Sequence, residues 1–149
     1  MNAKTIALLR HSFLAASLAV AATVPLAAFA DSVKLSATLN GAAEVPPNTG
    51  VGMGTMAATF DTATNQLSWT LTYSGLTGPA TAAHFHGPAA AGANAGVVLP
   101  FANPVSPIEG KATLTPAQAA DLMGGKWYTN VHTAAHPGGE IRGQVQPTK

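Results

Sequence analysis

Strict alternation of apolar and polar residues is the feature that most limits what this chain can fold into. It runs through residues 33–40 (VKLSATLN) and again through residues 66–76 (QLSWTLTYSGL). Successive side chains of a β-strand point to opposite faces, so an alternating stretch forms a strand with one buried face and one solvated face. Such strands are typical of antiparallel sheets. The pattern therefore predicts an all-β chain.

Turn residues divide the rest of the chain into further short strands. The segment 53–61 (MGTMAATFD) is predicted to form a hairpin with 66–76 through the loop DTATNQ. The remaining candidate strands, which are separated by Gly, Pro and Asn, are 80–86, 97–101, 108–114, 126–132 and 140–146. Eight short strands predict an antiparallel Greek-key β-sandwich, with a closed barrel as the alternative.

One stretch departs from the alternation and predicts a short helix over 116–123. Thr115 can cap its N-terminus, Pro116 suits the first helical position, and Gly124 and Gly125 end the segment.

The first thirty residues have the pattern of a secretory signal peptide. Lys4 and Arg10 precede an apolar, alanine-rich run that ends in Ala28-Phe29-Ala30, the small-x-small pattern that signal peptidase cleaves. We expect cleavage after Ala30, a single domain over residues 31–149, and a periplasmic or secreted location. The alternative is an uncleaved membrane anchor.

Charge and cysteine content exclude several classes of function. Residues 31–149 carry five basic and six acidic side chains and no cysteine. They contain neither a basic stripe for nucleic acid nor a polybasic membrane patch, so we expect no nucleic-acid partner and no membrane span after cleavage. Thiolate ligands and cysteine nucleophiles are excluded, and packing has to stabilise the exported domain without disulfides.

The four histidines of the predicted domain fall in two short segments. His84 and His86 lie in TAAHFHGPA, and His132 and His136 lie in NVHTAAHPGGEIRGQV. Residues i and i+2 of a strand share a face, so His84 and His86 are predicted to project together while Phe85 faces the core. His136 follows in a loop.

His132 has the same strand parity as Tyr128 and Asn130, away from the apolar Trp127 and Val131. Several imidazoles without thiolates suit copper(II) or zinc. The cluster therefore predicts a metal site with copper as the first choice of cofactor and zinc as the second. The alternative is that the histidines are solvated or structural.

Two further features could belong to such a site. Glu140 and Arg142 are two residues apart on one predicted strand, either as an anion guide with a supporting carboxylate or as a surface ion pair. The run GPAAAGANAG after the first histidine pair could cover the site or simply connect two strands.

Three blocks of the chain, LNGAAEVPP, SGLTGPATAAHFHGPA and GKWYTNVHTAAHPGGEIRGQV, resemble the CHRD (chordin-type) domain family. The resemblance covers nearly all of residues 31–149. It implies an all-β domain found in exported proteins, and it implies little about activity.

A more distant resemblance is to copper–zinc superoxide dismutase, an eight-stranded Greek-key sandwich whose His-x-His strand holds copper. It implies copper ligation by His84 and His86, a further ligand from His132 or His136, and an anion-guiding catalytic role for Arg142. The chain departs from that family because it has no cysteine and no counterpart of the zinc-binding loop.

Two functions of different classes follow, and the sequence leaves open whether the protein is an enzyme. The first is an exported copper-binding domain, with superoxide dismutase-like activity as its enzymatic extension. The second is a non-enzymatic adhesion or interaction module of the cell envelope, with an unknown protein partner, in which the histidines tie strands together. The two differ in whether the imidazoles converge, because a metal ion needs its nitrogen ligands at about 2 Å.

Overall fold

The computed structural model describes residues 31–148, so the predicted signal peptide and its cleavage site after Ala30 lie outside the described residues. Within them, the strands are β1 (Ser32–Asn40), β2 (Met53–Asp61), β3 (Gln66–Ser74), β4 (Ala80–His86), β5 (Val97–Pro100), β6 (Ile108–Thr113), β7 (Tyr128–Thr133), β8 (Ile141–Gln144) and β9 (Gln146–Pro147). A 3-10 turn spans Gly41–Ala43 and helix α1 spans Pro116–Met123. No helix in this part of the chain is long and apolar enough to cross a membrane.

All of these strands belong to one antiparallel sheet. The order is β5-β4-β7-β8-β1-β2-β3-β6, and β9 pairs with β1. The predicted all-β antiparallel fold with one short helix is confirmed. The two-sheet Greek-key sandwich is not confirmed, because hydrogen bonds join the strands into a single sheet.

The sheet curls so that its apolar face closes on itself. Trp69 of β3 and Phe85 of β4 meet edge to face with ring centroids 5.1 Å apart. Five strand spacings separate β3 from β4 in the sheet order, which in a flat sheet is roughly 24 Å at about 4.8 Å per strand. The contact therefore requires a half-barrel, with the core on its concave side.

The alternation seen in the sequence produces this core directly. In β1, Leu35, Ala37 and Leu39 are buried and the residues between them are exposed. The largest apolar side chains of the core are Leu35, Leu39, Met56, Phe60, Leu67, Trp69, Leu71, Phe85, Phe101, Ile108, Leu114, Leu122, Trp127, Val131 and Ile141.

Helix α1 has the bounds that the sequence predicts. The Thr115 side chain accepts from the backbone N–H of Gln118, and the Gln118 side chain accepts from the N–H of Thr115, which forms a capping box. Gly125, at φ +67°, turns the chain toward Trp127 and β7 after the helix ends.

The convex face of the sheet has two different parts. On β1, β2 and β3 it is solvated, as the alternation predicts. On β7 all six residues are buried, including the polar Asn130 and His132. The loop 87–96, which we call the covering loop, lies over this second part, as its hydrogen bonds to β4, β7 and β8 show.

Candidate metal centre

Pairing of β4 with β7 brings three histidines together on the convex face. The two strands are antiparallel neighbours, with His84 opposite Asn130, His86 opposite Tyr128 and His132 opposite Ala82. One ring nitrogen from each of His84, His86 and His132 lies within 4.8 Å of the others. The sequence predicted the shared face of His84 and His86, and the strand pairing adds His132.

The closest nitrogens in this group are His84 Nδ1 and His132 Nε2, which are 3.1 Å apart. If both bound one ion at about 2.0–2.1 Å, they would subtend an angle of roughly 100° at it. That angle lies between the square-planar and the tetrahedral values, so copper(II) and zinc can both accept the pair.

Backbone carbonyls fix which nitrogen of His86 and His132 faces the group. His86 Nδ1 lies 3.0 Å from Ala95 O, and His132 Nδ1 lies 2.9 Å from Pro137 O. A carbonyl oxygen only accepts, so each Nδ1 carries a proton, and the Nε2 of a neutral His86 keeps a free lone pair, whereas the Nε2 of His132 contacts His84 Nδ1 and the Asn130 amide. A hydrogen bond to the far ring nitrogen is the usual support of a metal-binding imidazole.

His86 Nε2 is buried, and no group in residues 31–148 hydrogen-bonds to it. An unpaired buried polar atom costs about 1–3 kcal/mol, so such an atom in a native structure needs an explanation. A cation bound by the three imidazoles supplies one.

The lowered pKa values of His84 and His132 favour metal binding. Burial lowers the pKa of His84, and the neighbouring His132 and His86 lower it further. Burial also lowers the pKa of His132, and this effect outweighs the opposing hydrogen bond to the Pro137 carbonyl. The neutral imidazole, which is the form that binds a metal, therefore persists to lower pH than in an ordinary histidine.

A second polar group lies behind His132. Asn130 Oδ1 is 3.0 Å from His132 Nε2. A Cβ atom at Gly139 would collide with both Glu44 Oε1 and Asn130 Nδ2, so the carboxylate and the amide NH₂ share one small space. Burial raises the pKa of Glu44, although the charge of Arg142 opposes the shift. The Asn130 amide thus lies between His132 Nε2 on one side and Glu44 on the other.

An aromatic stack separates Arg142 from the histidines. The Tyr128 ring lies parallel to the His86 ring with centroids 4.7 Å apart, and the Arg142 guanidinium lies 3.4 Å from the centroid of Tyr128. Because β7 runs between β4 and β8, His86 and Arg142 are on opposite sides of the Tyr128 ring.

The structure thus joins three of the four predicted metal ligands. His136 lies in the turn after β7, where its backbone N–H and C=O bond to Thr133, and it is outside the group that converges within residues 31–148. Arg142, the predicted anion guide, is 2 % exposed, and its guanidinium donates to Asn94 and Ala93 of the covering loop.

The surface ion pair of Glu140 with Arg142, one of the two alternatives, is not formed, and both side chains are buried. Glu140 precedes β8, and its carboxylate accepts hydrogen bonds from Thr77 N and Oγ1, each at 2.7 Å, and from Thr133 Oγ1. Within residues 31–148 the salt bridge found is between Lys126 and Asp121.

Sequence reasoning missed Tyr128, Asn130 and Glu44 as parts of the site. Tyr128 and Asn130 have the same strand parity as His132, and this parity could have identified them as part of the site. Glu44 lies in a loop before two prolines, and no local pattern marks it as buried beside Arg142.

Comparison with known proteins gives a family but no near relative. No curated protein and no solved structure matches the chain, and no comparison shows the likeness to copper–zinc superoxide dismutase. The family model of the CHRD domain matches residues 35–145, which include β2 to β8, the histidine group and most of β1. The chain therefore belongs to the CHRD domain family.

Proposed function

We propose that this CHRD domain is an exported metal-binding module whose ligands are His84, His86 and His132. The observation that carries the proposal is the buried Nε2 of His86, which lacks a hydrogen-bond partner within residues 31–148 and belongs to a group of three convergent imidazoles. Export rests on the signal pattern of residues 1–30 and on the family resemblance.

Copper(II) is the proposed ion, and zinc is the second choice. The donor set is all-imidazole, and the convergent group within residues 31–148 includes no carboxylate. Such a set suits both ions, whereas magnesium, calcium and manganese prefer oxygen ligands. Bound copper would supply a redox centre and bound zinc a Lewis acid, and three protein ligands leave a coordination position for an external ligand.

Titration of the purified domain with copper(II) and with zinc tests the proposal. We expect one ion per chain for the wild type and loss of binding in the His84→Ala/His86→Ala double variant. His136→Ala is the matched control, because it removes a histidine of the same segment as His132 that lies outside the group. Absence of stoichiometric binding, or binding that the double variant retains, would reject the proposal.

Superoxide dismutation is the enzymatic extension of the copper proposal. The placement of Arg142 behind Tyr128 favours a structural task for this residue over anion steering. Pulse radiolysis of the copper-loaded domain tests the extension separately: tight copper binding without superoxide turnover removes the extension and leaves the metal site.

The second candidate function is a non-enzymatic adhesion or interaction module of the cell envelope with structural histidines. It is favoured by the hydrogen bonds that join His86 to Ala95 and His132 to Pro137, because they tie two loops to the sheet. In that case His84→Ala/His86→Ala lowers the stability of the domain, and copper(II) and zinc do not raise the melting temperature of the wild type.

A further inference from the structure

The covering loop is fixed by side chains of β7 and β8, of which Tyr128 and Arg142 are buried, as well as by its own ends. Tyr128 Oη donates to Ala95 O at 3.3 Å and accepts from Ala95 N at 3.2 Å. Gln144 Nε2 donates to Ala89 O at 3.0 Å. These contacts hold the loop against the convex face, where Ala95 O meets His86 Nδ1.

Arg142 makes the central pair of these contacts. Its Nη1 donates to Asn94 Oδ1 at 2.9 Å, and its Nη2 donates to Ala93 O. Arg142 is 2 % exposed and makes no salt bridge within residues 31–148. Removing a cation from water costs several kcal/mol, and the Tyr128 ring and the neighbouring Glu44 offset part of that cost. The hydrogen bonds of its fork-shaped guanidinium go to the pair of residues before Ala95.

We propose that Arg142 is a positioning residue of the histidine group. By holding Asn94 and Ala93, it places Ala95 O where the carbonyl accepts the proton of His86 Nδ1, and this keeps the Nε2 lone pair directed to the group. The inference rests on the proposed function for its effect on a metal. Its first consequence, the tautomer of His86, exists in the metal-free protein.

This task differs from an electrostatic one, which the sequence suggested for Arg142. A guiding charge acts at a distance and is retained when lysine replaces arginine. A two-pronged donor that must reach Asn94 Oδ1 and Ala93 O together is lost with that replacement, because an ammonium group lacks the fixed fork.

The experiment uses three variants of the metal-free domain. Asn94→Ala removes one acceptor of the fork and has an exposed side chain, so it is expected to fold. Arg142→Lys keeps the charge and loses the fork. Tyr128→Phe keeps the ring against His86 and loses both hydroxyl contacts with Ala95.

The matched control is Tyr73→Phe. The Tyr73 hydroxyl also anchors a loop, since it donates to Pro104 O at 2.7 Å and accepts from Ser106 N, but that loop belongs to the β3 and β6 side of the sheet. This control measures the effect of losing a loop anchor as such.

The primary measurement is the tautomer of His86, read from its ring nitrogen shifts by NMR above the pH at which the histidines are protonated. We expect the Nδ1–H form in the wild type and in Tyr73→Phe, and a shift toward the Nε2–H form in Asn94→Ala, Arg142→Lys and Tyr128→Phe. An unchanged tautomer in Asn94→Ala and Arg142→Lys would overturn the inference, whether or not the wild type binds metal.

The second readout is copper(II) binding. Its affinity is measured by competition with a chelator, and the copper environment is measured by EPR. Loss of a group that orients a ligand lowers metal affinity about 10–100-fold, and we expect this range for Asn94→Ala and Arg142→Lys together with a changed hyperfine splitting. If Arg142→Lys binds copper(II) with wild-type affinity, the positive charge of residue 142 is sufficient and its fork-shaped hydrogen bonding is not needed. That result would contradict the positioning role. A wild type without copper binding would reject the proposed function and leave the tautomer result standing.

Discussion

Tyr128 lies flat against His86, with ring centroids 4.7 Å apart and the two planes within 1° of parallel. The phenol ring thereby sets the plane of one proposed metal ligand, while its other face carries the guanidinium of Arg142. The position of the His86 ring therefore depends on a side chain of the neighbouring strand as well as on its own.

Tyr128→Leu should remove this stack and weaken the domain. Stacking contributes about 0.5–1.5 kcal/mol and a desolvated cation–π contact about 2 kcal/mol, so we expect a loss of about 2.5–3.5 kcal/mol in the free energy of unfolding. Urea unfolding of the metal-free protein measures it. Tyr128→Phe, which retains the ring, should lose clearly less, and equal losses in the two variants would show that the ring faces contribute nothing.

Phe85 should be the most sensitive position of β4 for stability. Its ring is fully buried and contacts Trp69, Phe101 and Trp127 at centroid distances of 5.1, 4.9 and 5.7 Å. Phe85→Ala should cost about 3–5 kcal/mol in urea unfolding because it leaves a cavity in the core. Val51→Ala, at an 81 % exposed position, should change stability by less than about 0.5 kcal/mol. Similar losses at the two positions would contradict the assigned core.

Glu140 should make the stability of the domain depend on pH at the acidic end. Burial raises the pKa of Glu140, but hydrogen bonds from Thr133 and Thr77 and the charge of His136 lower it more, so the folded value lies below the ordinary 4.5. A group with a lowered pKa in the folded state contributes stability that is present above its unfolded pKa and lost as pH falls through the folded value.

Glu140→Gln should therefore lower the free energy of unfolding near pH 7, by about 1.5–3 kcal/mol for a charged hydrogen bond, and the difference from wild type should shrink as pH falls below 4.5. Glu109→Gln, at an exposed position of β6, is the control and should change the free energy of unfolding near pH 7 by less than about 0.5 kcal/mol. A Glu140→Gln loss that stays constant down to acidic pH would contradict the role of the ionised carboxylate.

Metal uptake should persist to lower pH than at an ordinary histidine site. Protons compete with the metal for each imidazole, and the lowered pKa values of His84 and His132 move that competition below the ordinary value of 6.5. We expect copper to stay bound at pH 6.5 and to be released at more acidic pH, as followed by EPR. Release centred above pH 6.5, in the wild type or in His136→Ala, would contradict this expectation.

The local rules of the sequence were sufficient for most secondary structure. Period-two alternation predicted the strands around Leu35 and Trp69, because a strand with one buried and one solvated face has alternating apolar and polar residues. Helix α1 was predicted with its bounds because Thr115 and Gly124 act on their immediate neighbours. The last predicted strand, 140–146, is instead divided into β8, which pairs with β7, and β9, which pairs with β1.

The sequence by itself determined that His84 and His86 share a face opposite Phe85, because strand geometry fixes side-chain direction within a few residues. Only the tertiary structure decided that β7 lies beside β4, that His132 joins the group while His136 stays in a turn, and that Arg142 binds a loop instead of Glu140. Those relationships depend on contacts between residues about 50 positions apart, such as His84 with His132 and Arg142 with Asn94. Such contacts depend on how the whole sheet closes around its core. The sequence of one strand does not identify the strand that pairs with it.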